Sequence, residues 1–210
     1  MATSPIASSS SVLSDERLDR WLAALLATPG LTAIRNEDEA RETLLHGALA
    51  AAALLGDGPV VDVGSGGGSP GIPLAATRPD LDFVLLESNR RKCDFLRKTT
   101  AEFENVSVVC ERAEEHSAGV GRDVYGTAVA RALAAPPVAA EWCLPLVRSG
   151  GRAVLFVGPR ADLPALELAA SKLATAVEES PPGFILLRKT GPTPERFPRR
   201  PGVAKKRPLA

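Results

Sequence analysis

Five glycines fall within eight residues, Gly64, Gly66, Gly67, Gly68 and Gly71, directly after the apolar run Val60 to Val63. Glycine lets a backbone turn tightly and approach a ligand closely, at an entropic cost that a plain connection has no need to bear. A strand-to-helix turn of this kind is where doubly wound α/β folds bind nucleotides. Gly66, Gly68 and Gly71 formally satisfy the pattern G-x-G-x-x-G, which alone does not choose between a dinucleotide and another adenosine cofactor. Two acids qualify it. Asp62 stands two residues before Gly64, and Glu87 closes the next apolar run twenty-one residues after Gly66. From that place a carboxylate can accept both hydroxyls of an adenosine ribose. Arg131 follows a further apolar run, and its planar guanidinium suits a carboxylate or a phosphate. His46 and His116 stand alone and are expected to be structural or surface residues. Cys93, Cys110 and Cys143 are an odd count with no Cys-x-x-Cys pair, so no metal site is expected and all three read as reduced thiols.

The elements that must position these residues follow from hydrophobic periodicity. Residues 1–13 are Ser-rich and read as a flexible terminus. Ser14 is a candidate cap for a first helix with Leu18, Trp21, Leu22 and Leu25 on one face. A second helix is expected from Asn36 to Leu55, so that 14–58 form a helical N-terminal region. Beyond Pro59 short apolar runs alternate with helical stretches, the pattern of a parallel sheet with crossover helices. Five runs are clear: Val60 to Val63, Phe83 to Glu87, Val106 to Val109, Thr127 to Ala130 and Ala153 to Val157. Helices are expected near 72–77, 90–103, 136–147 and 162–173. Ala174 to Val177 and Phe184 to Leu187 would complete seven strands in a core spanning 59–190. Residues 191–210 hold five prolines among basic residues and read as an extended tail.

A chain of 210 residues and 22.0 kDa, 45% hydrophobic and 24% charged, is one globular unit with appendages. Aromatics at 4% exclude a stacking platform for single-stranded RNA. The zero net charge conceals an asymmetry. From Arg188 onward eight basic residues face only Glu195, a net of +7, while 17 basic and 24 acidic residues before it leave −7. Nucleic-acid contact is therefore expected at the C-terminal end. No apolar run approaches the length of a membrane span, and the opening residues lack the features of a signal peptide. A cytoplasmic location without membrane contact is expected.

A closer resemblance rests on LTAIRNEDEA, VDVGSGGGSPGIPLAATRPDLDFVLLESNRRKCDFLR, ERAEEH, VARALA and FPRRPGVAKKRPL. Together these are similar to the RsmG (GidB) family of ribosomal RNA methyltransferases over about residues 31–210. The resemblance implies an α/β class I methyltransferase sheet, Rossmann-like, with helices before it and a basic tail behind. It implies S-adenosylmethionine as cofactor and N7 of a guanosine in small-subunit (16S) ribosomal RNA as target, within naked RNA or the 30S subunit. It places cofactor contacts at Asp62, Gly64, Gly66, Gly68, Ser69, Glu87, Ser88, Asn89, Ala113, Glu114 and Arg131, with Ala113 and Glu114 beside the adenine. Arg131 is the expected catalytic residue. The basic ending suggests RNA contacts at Arg196, Arg199, Arg200, Lys205, Lys206 and Arg207. Two places depart from the family pattern: His46-Gly47-Ala48-Leu49, where a His followed by Asp-Ser is common, and Val157, where a lysine usually precedes the glycine. A catalytically silent RNA-binding relative and an NAD-dependent oxidoreductase are the alternative readings.

Overall fold

The computed structural model describes residues 15–158 and 162–210. Ser14 and the expected flexible terminus 1–13 lie outside the described residues. The first helix, α1 (Glu16–Ala27), is capped by Asp15, whose carboxylate accepts from the N–H of Arg17. It buries Leu18, Trp21, Leu22 and Leu25, the stripe read from their spacing.

The second helix is not the single rod expected. It divides into α2 (Glu37–Ala40), a π-helical turn (Arg41–His46), α3 (Gly47–Leu49) and a 3-10 turn (Ala52–Leu54). The π turn lies where two of its carbonyls accept from side chains of the sheet region: Arg131 Nη1 donates to Thr43 O at 2.7 Å and Ser69 Oγ to Leu44 O at 2.6 Å. Such a local widening is a frequent feature beside functional sites, and periodicity alone carries no sign of these distant donors.

Seven strands form one sheet in the order β3-β2-β1-β4-β5-β7-β6. They are β1 (Val60–Val63), β2 (Phe83–Leu86), β3 (Val106–Val109), β4 (Tyr125–Arg131), β5 (Val147–Phe156), β6 (Thr175–Glu178) and β7 (Phe184–Lys189). The first five run parallel, while β7 is antiparallel to both β5 and β6. Between them lie α4 (Gly71–Thr77), α5 (Arg90–Thr99), α6 (Ala113–Ala118), α7 (Pro136–Cys143) and α8 (Leu163–Ser171). Helix α6 is absent from the sequence reading; six residues with few apolar positions give periodicity little to register. One apolar layer packs α7, α8 and the C-terminal Phe197 against the sheet, and another packs α1 and the π turn against α4 and β2. Strand order reverses between β1 and β4, which opens a crevice at their carboxyl ends.

Two expectations are corrected here. Cys93 and Cys110 are joined as a disulfide, their Cα atoms 5.9 Å apart, because α5 folds back on β3 and closes a separation of 17 residues. Cys143 alone is a buried free thiol, which burial pushes well above its ordinary pKa. The tail, in turn, is folded rather than extended. Phe197 and Ala204 are buried, and Val203–Lys206 forms a short helix, α9. Arg122 holds it by donating to the carbonyls of Thr193 and Phe197. Asp123 accepts from the N–H and hydroxyl of Thr193 and from the buried Lys189 ammonium.

Candidate active site

At the carboxyl end of β1 the backbone enters the glycine loop with Gly64 at φ +71° and Gly66 at φ +58°, conformations that favour glycine. The other glycines serve packing as much as any ligand. A side chain at Gly67 would strike Leu25, and one at Gly68 would strike Ile72 and the Trp21 indole at 2.9 Å. Trp21 also donates its indole N–H to Gly67 O at 2.8 Å, so α1 supports the loop from behind. This explains why Trp21 is in the core, and why the loop needs more glycines than a phosphate or ribose would require.

A cavity of about 280 Å³ opens between this loop, the end of β2 and the start of α6. Gly64, Glu87, Ser88, Ala113 and Glu114 line it, together with Leu133 and Trp142. Glu87 is 7% exposed; its Oε2 accepts from the N–H of Gly66 at 3.0 Å and its Oε1 from that of Asn89 at 2.8 Å. A carboxylate offers about four acceptor positions, so each oxygen keeps capacity for a ribose hydroxyl. Glu114 Oε1 accepts from the indole N–H of Trp142 and from the backbone N–H of Gly202, both at 3.0 Å. Trp142 is a site residue that spacing did not reveal. It sits on α7 and reaches the cavity only through the packing of α7 beside α6.

The remaining expected cofactor residues surround the cavity without lining it. Asp62 is 1% exposed and turned away, accepting from Gly71 N–H at 3.0 Å across the loop. Burial pushes its pKa up to about 7, against the lowering influence of that N–H and of Arg131. Asn89 caps α5 by accepting from Lys92 N–H, Ser69 is spent on Leu44 O, and Gly68 is packed under Trp21. Arg131 ends β4 with its guanidinium over the Phe156 ring, 5.9 Å from the centroid, and tied to Thr43 O. Burial pulls its pKa down, while Asp62 pushes it up.

The tail residues separate in the same way. Arg199 forms a two-pronged ion pair with Glu141, which is 3% exposed, and Arg196 lies over the Phe197 ring. Arg196, like Arg200, Lys205, Lys206 and Arg207, is exposed to solvent. His116 is buried between Glu111 and the Tyr125 hydroxyl, whereas His46 lies on the surface beside Glu42. Among the described residues no group of three or more His, Cys, Asp or Glu side chains is placed to hold a metal ion. No helix there is long and apolar enough to cross a membrane.

The fold resembles several solved methyltransferases at low identity. A putative S-adenosylmethionine-dependent methyltransferase from Methanococcus maripaludis superposes with a TM-score of 0.58 at 14% identity, over 77% of this chain and 93% of that one. The T. thermophilus 16S rRNA N2 methyltransferase RsmC, solved with AdoMet and guanosine, gives 0.52 at 17% identity over 71% of this chain and 40% of that one. These establish the class I methyltransferase fold. Sequence relatives are more specific. A ribosomal RNA small subunit methyltransferase G from Rubrobacter xylanophilus is 42% identical over 72% of this chain and 65% of its own length. The protein of the same name from Carboxydothermus hydrogenoformans is 36% identical over 92% of this chain and 90% of its own length. The family model described as rRNA small subunit methyltransferase G (GidB) matches residues 16–184. With the family model spanning most of the chain and relatives of that name 36–42% identical to it, this chain belongs to the rRNA small subunit methyltransferase G family.

Proposed function

We propose that this protein transfers the methyl group of S-adenosylmethionine to N7 of a guanosine in small-subunit ribosomal RNA. One observation carries the reading: the cavity at the β1/β4 switch point is bounded by Glu87, whose free acceptor positions suit a ribose, and by Glu114 and Trp142, which form a polar and an aromatic wall for an adenine. When bound, the sulfonium cofactor supplies an activated methyl group. N7 of guanine carries a lone pair and no proton, so this chain has no proton to remove. Its residues contribute by orientation, holding the acceptor in line with the methyl carbon, which is a proximity effect. Arg131, at the carboxyl end of β4 and fixed through Thr43 O, is the residue we assign to aligning the methionine carboxylate or the RNA. Arg196, Arg200, Lys205, Lys206 and Arg207 are the exposed tail residues free to meet phosphates, and the 30S subunit or its RNA is the partner they fit. The sheet disfavours the dinucleotide reading, because its antiparallel β7 replaces the continuous parallel order of dinucleotide-binding folds.

The test is incubation with methyl-labelled S-adenosylmethionine and undermethylated small subunits or naked RNA, followed by mapping of the label. Label at a guanine N7 is the expected result. Cofactor binding with no transfer to either substrate would establish the silent-relative reading instead.

A further inference from the structure

At the edge of the sheet opposite the cofactor cavity, Arg148 and Arg152 of β5 and Arg188 of β7 surround a second, polar cavity of about 260 Å³. Its remaining wall is Asp57 and the backbone of four glycines, Gly56, Gly126, Gly150 and Gly151. Backbone passes too close at Gly151 for any side chain, since a Cβ there would lie 2.6 Å from Gly126 O. Arg152 and Arg188 are direct cross-strand partners in the antiparallel β5–β7 pair. Like charges placed so are mutually repulsive, and they need an acid between or beside them. Glu178 serves Arg188 at 2.9 Å, but no carboxylate bonds Arg148 or Arg152 among the described residues.

The guanidinium groups are also under-used as donors. Arg148 Nη2 reaches Asp57 O at 3.3 Å, Arg152 Nη1 reaches Leu54 O at 3.4 Å and Arg188 Nη1 reaches Gly150 O at 2.9 Å. Each guanidinium carries five N–H donors. Among the described residues, Arg152 Nε is the one buried side-chain nitrogen or oxygen with no hydrogen-bond partner. A buried donor in that condition calls for a specific explanation. The surroundings make an incidental accumulation of positive charge unexpected, because the chain before Arg188 is net acidic.

We propose that this cavity is an anion site that takes a phosphate group. A tetrahedral oxyanion can accept from the guanidinium groups that line the cavity, and a small turn of the Arg152 side chain brings its buried, unpartnered Nε into the paired geometry that arginine offers to phosphate. Arg148 and Arg188 then flank it. Three guanidinium charges against Asp57 and the already paired Glu178 leave the site positive. The phosphate can belong to an RNA backbone or to a free phosphorylated molecule, and both present the same group to the cavity.

Inorganic phosphate is the probe. In the full-length protein, the Nε–Hε resonance of Arg152 is followed by nuclear magnetic resonance during a phosphate titration. A saturable shift is expected. Arg152→Lys keeps the charge but removes Nε, and should weaken phosphate binding, followed in that variant by the backbone N–H of Gly150 and Gly151 in the cavity wall, about 10-fold. Arg148 is exposed, so Arg148→Gln should weaken binding without altering the melting temperature or S-adenosylmethionine affinity, and it covers the event that the Arg152 variant folds poorly. Absence of saturable binding up to high-millimolar phosphate, or binding indifferent to Arg148→Gln, overturns the site. The source is separated by RNA affinity measured against salt. A slope reduced by about 0.7 to 0.9 in Arg148→Gln assigns the phosphate to RNA, whereas an unchanged slope, with inorganic phosphate binding weakened by the same substitution, assigns it to a free molecule.

Discussion

Replacing Asp62 by Asn should make this protein more stable, and increasingly so as pH rises. The carboxyl is 1% exposed, and its one side-chain hydrogen bond to the backbone is accepted from Gly71 N–H at 3.0 Å. Burial dominates its titration and lifts the pKa from 3.8 to about 7. In the unfolded chain the group ionises near the ordinary aspartate value. Between roughly pH 4 and 7 the native state therefore binds a proton that the unfolded state has released, and stability falls as pH rises. The slope is about 1.4 kcal/mol per pH unit, so the loss accumulated by pH 7 is on the order of 4 kcal/mol. Asn is isosteric, its carbonyl still accepts from Gly71, and it carries no charge to bury. Urea unfolding of both proteins from pH 4.5 to 8.5 measures the difference. The expected curve is a small advantage for the Asp62→Asn variant at the acid end that grows through neutrality and levels off above it. A pH-independent difference would show that the carboxylate is adequately solvated or paired, and the burial argument would be refuted. Since Asp62 does not line the cofactor cavity, S-adenosylmethionine affinity should change little.

With the ribose role proposed for Glu87, Glu87→Ala would remove charge-assisted hydrogen bonds of roughly 1.5 to 3 kcal/mol each; calorimetry should show affinity for S-adenosylmethionine lowered about 10- to 100-fold, with no binding of NAD by either protein. Arg199→Met leaves Glu141 buried and unpaired at 3% exposure, and thermal or urea unfolding should record a loss of about 3 to 5 kcal/mol. Because Gly202 N–H bonds Glu114 in the cavity wall, truncation after Thr190 should weaken cofactor binding as well, contrary to what an extended tail would imply; unchanged affinity would separate the tail from the cavity. Replacing Arg200, Lys205, Lys206 and Arg207 by Ala should flatten the dependence of log RNA affinity on log salt by roughly 0.7 to 0.9 per lost contact. Arg131→Ala should lower methyl transfer far more than Val157→Lys alters it, as measured by label incorporation.

Local chemistry was sufficient for the apolar centres of the strands, for the loop after β1 and for the acid at the end of β2, but not for the strand bounds: β5, expected from Ala153, begins at Val147, because its polar and glycine residues pair with β4 only in the folded sheet. Each of the three legible features is written in adjacent residues: an apolar run, a dense set of glycines, a carboxylate one residue past the last paired position. The apolar stripe of α1 was legible for the same reason, since periodicity is a property of neighbours along the chain. What the glycines face was not. Gly67 and Gly68 are small because Leu25 and Trp21 arrive from a helix more than forty residues earlier. The π turn that divides the second helix meets Arg131 and Ser69 across the fold, the disulfide depends on α5 lying against β3, and the cavity wall on Trp142 meeting Glu114 from α7. The tail shows the distinction most plainly. Its sequence shows that it is basic and rich in proline, yet composition cannot say which charges are free. Folding spends Lys189 on Asp123 and Arg199 on Glu141, and leaves Arg196, Arg200, Lys205, Lys206 and Arg207 in water. Pairing of that kind joins residues 58 and 66 positions apart, and only the packed chain brings them within reach.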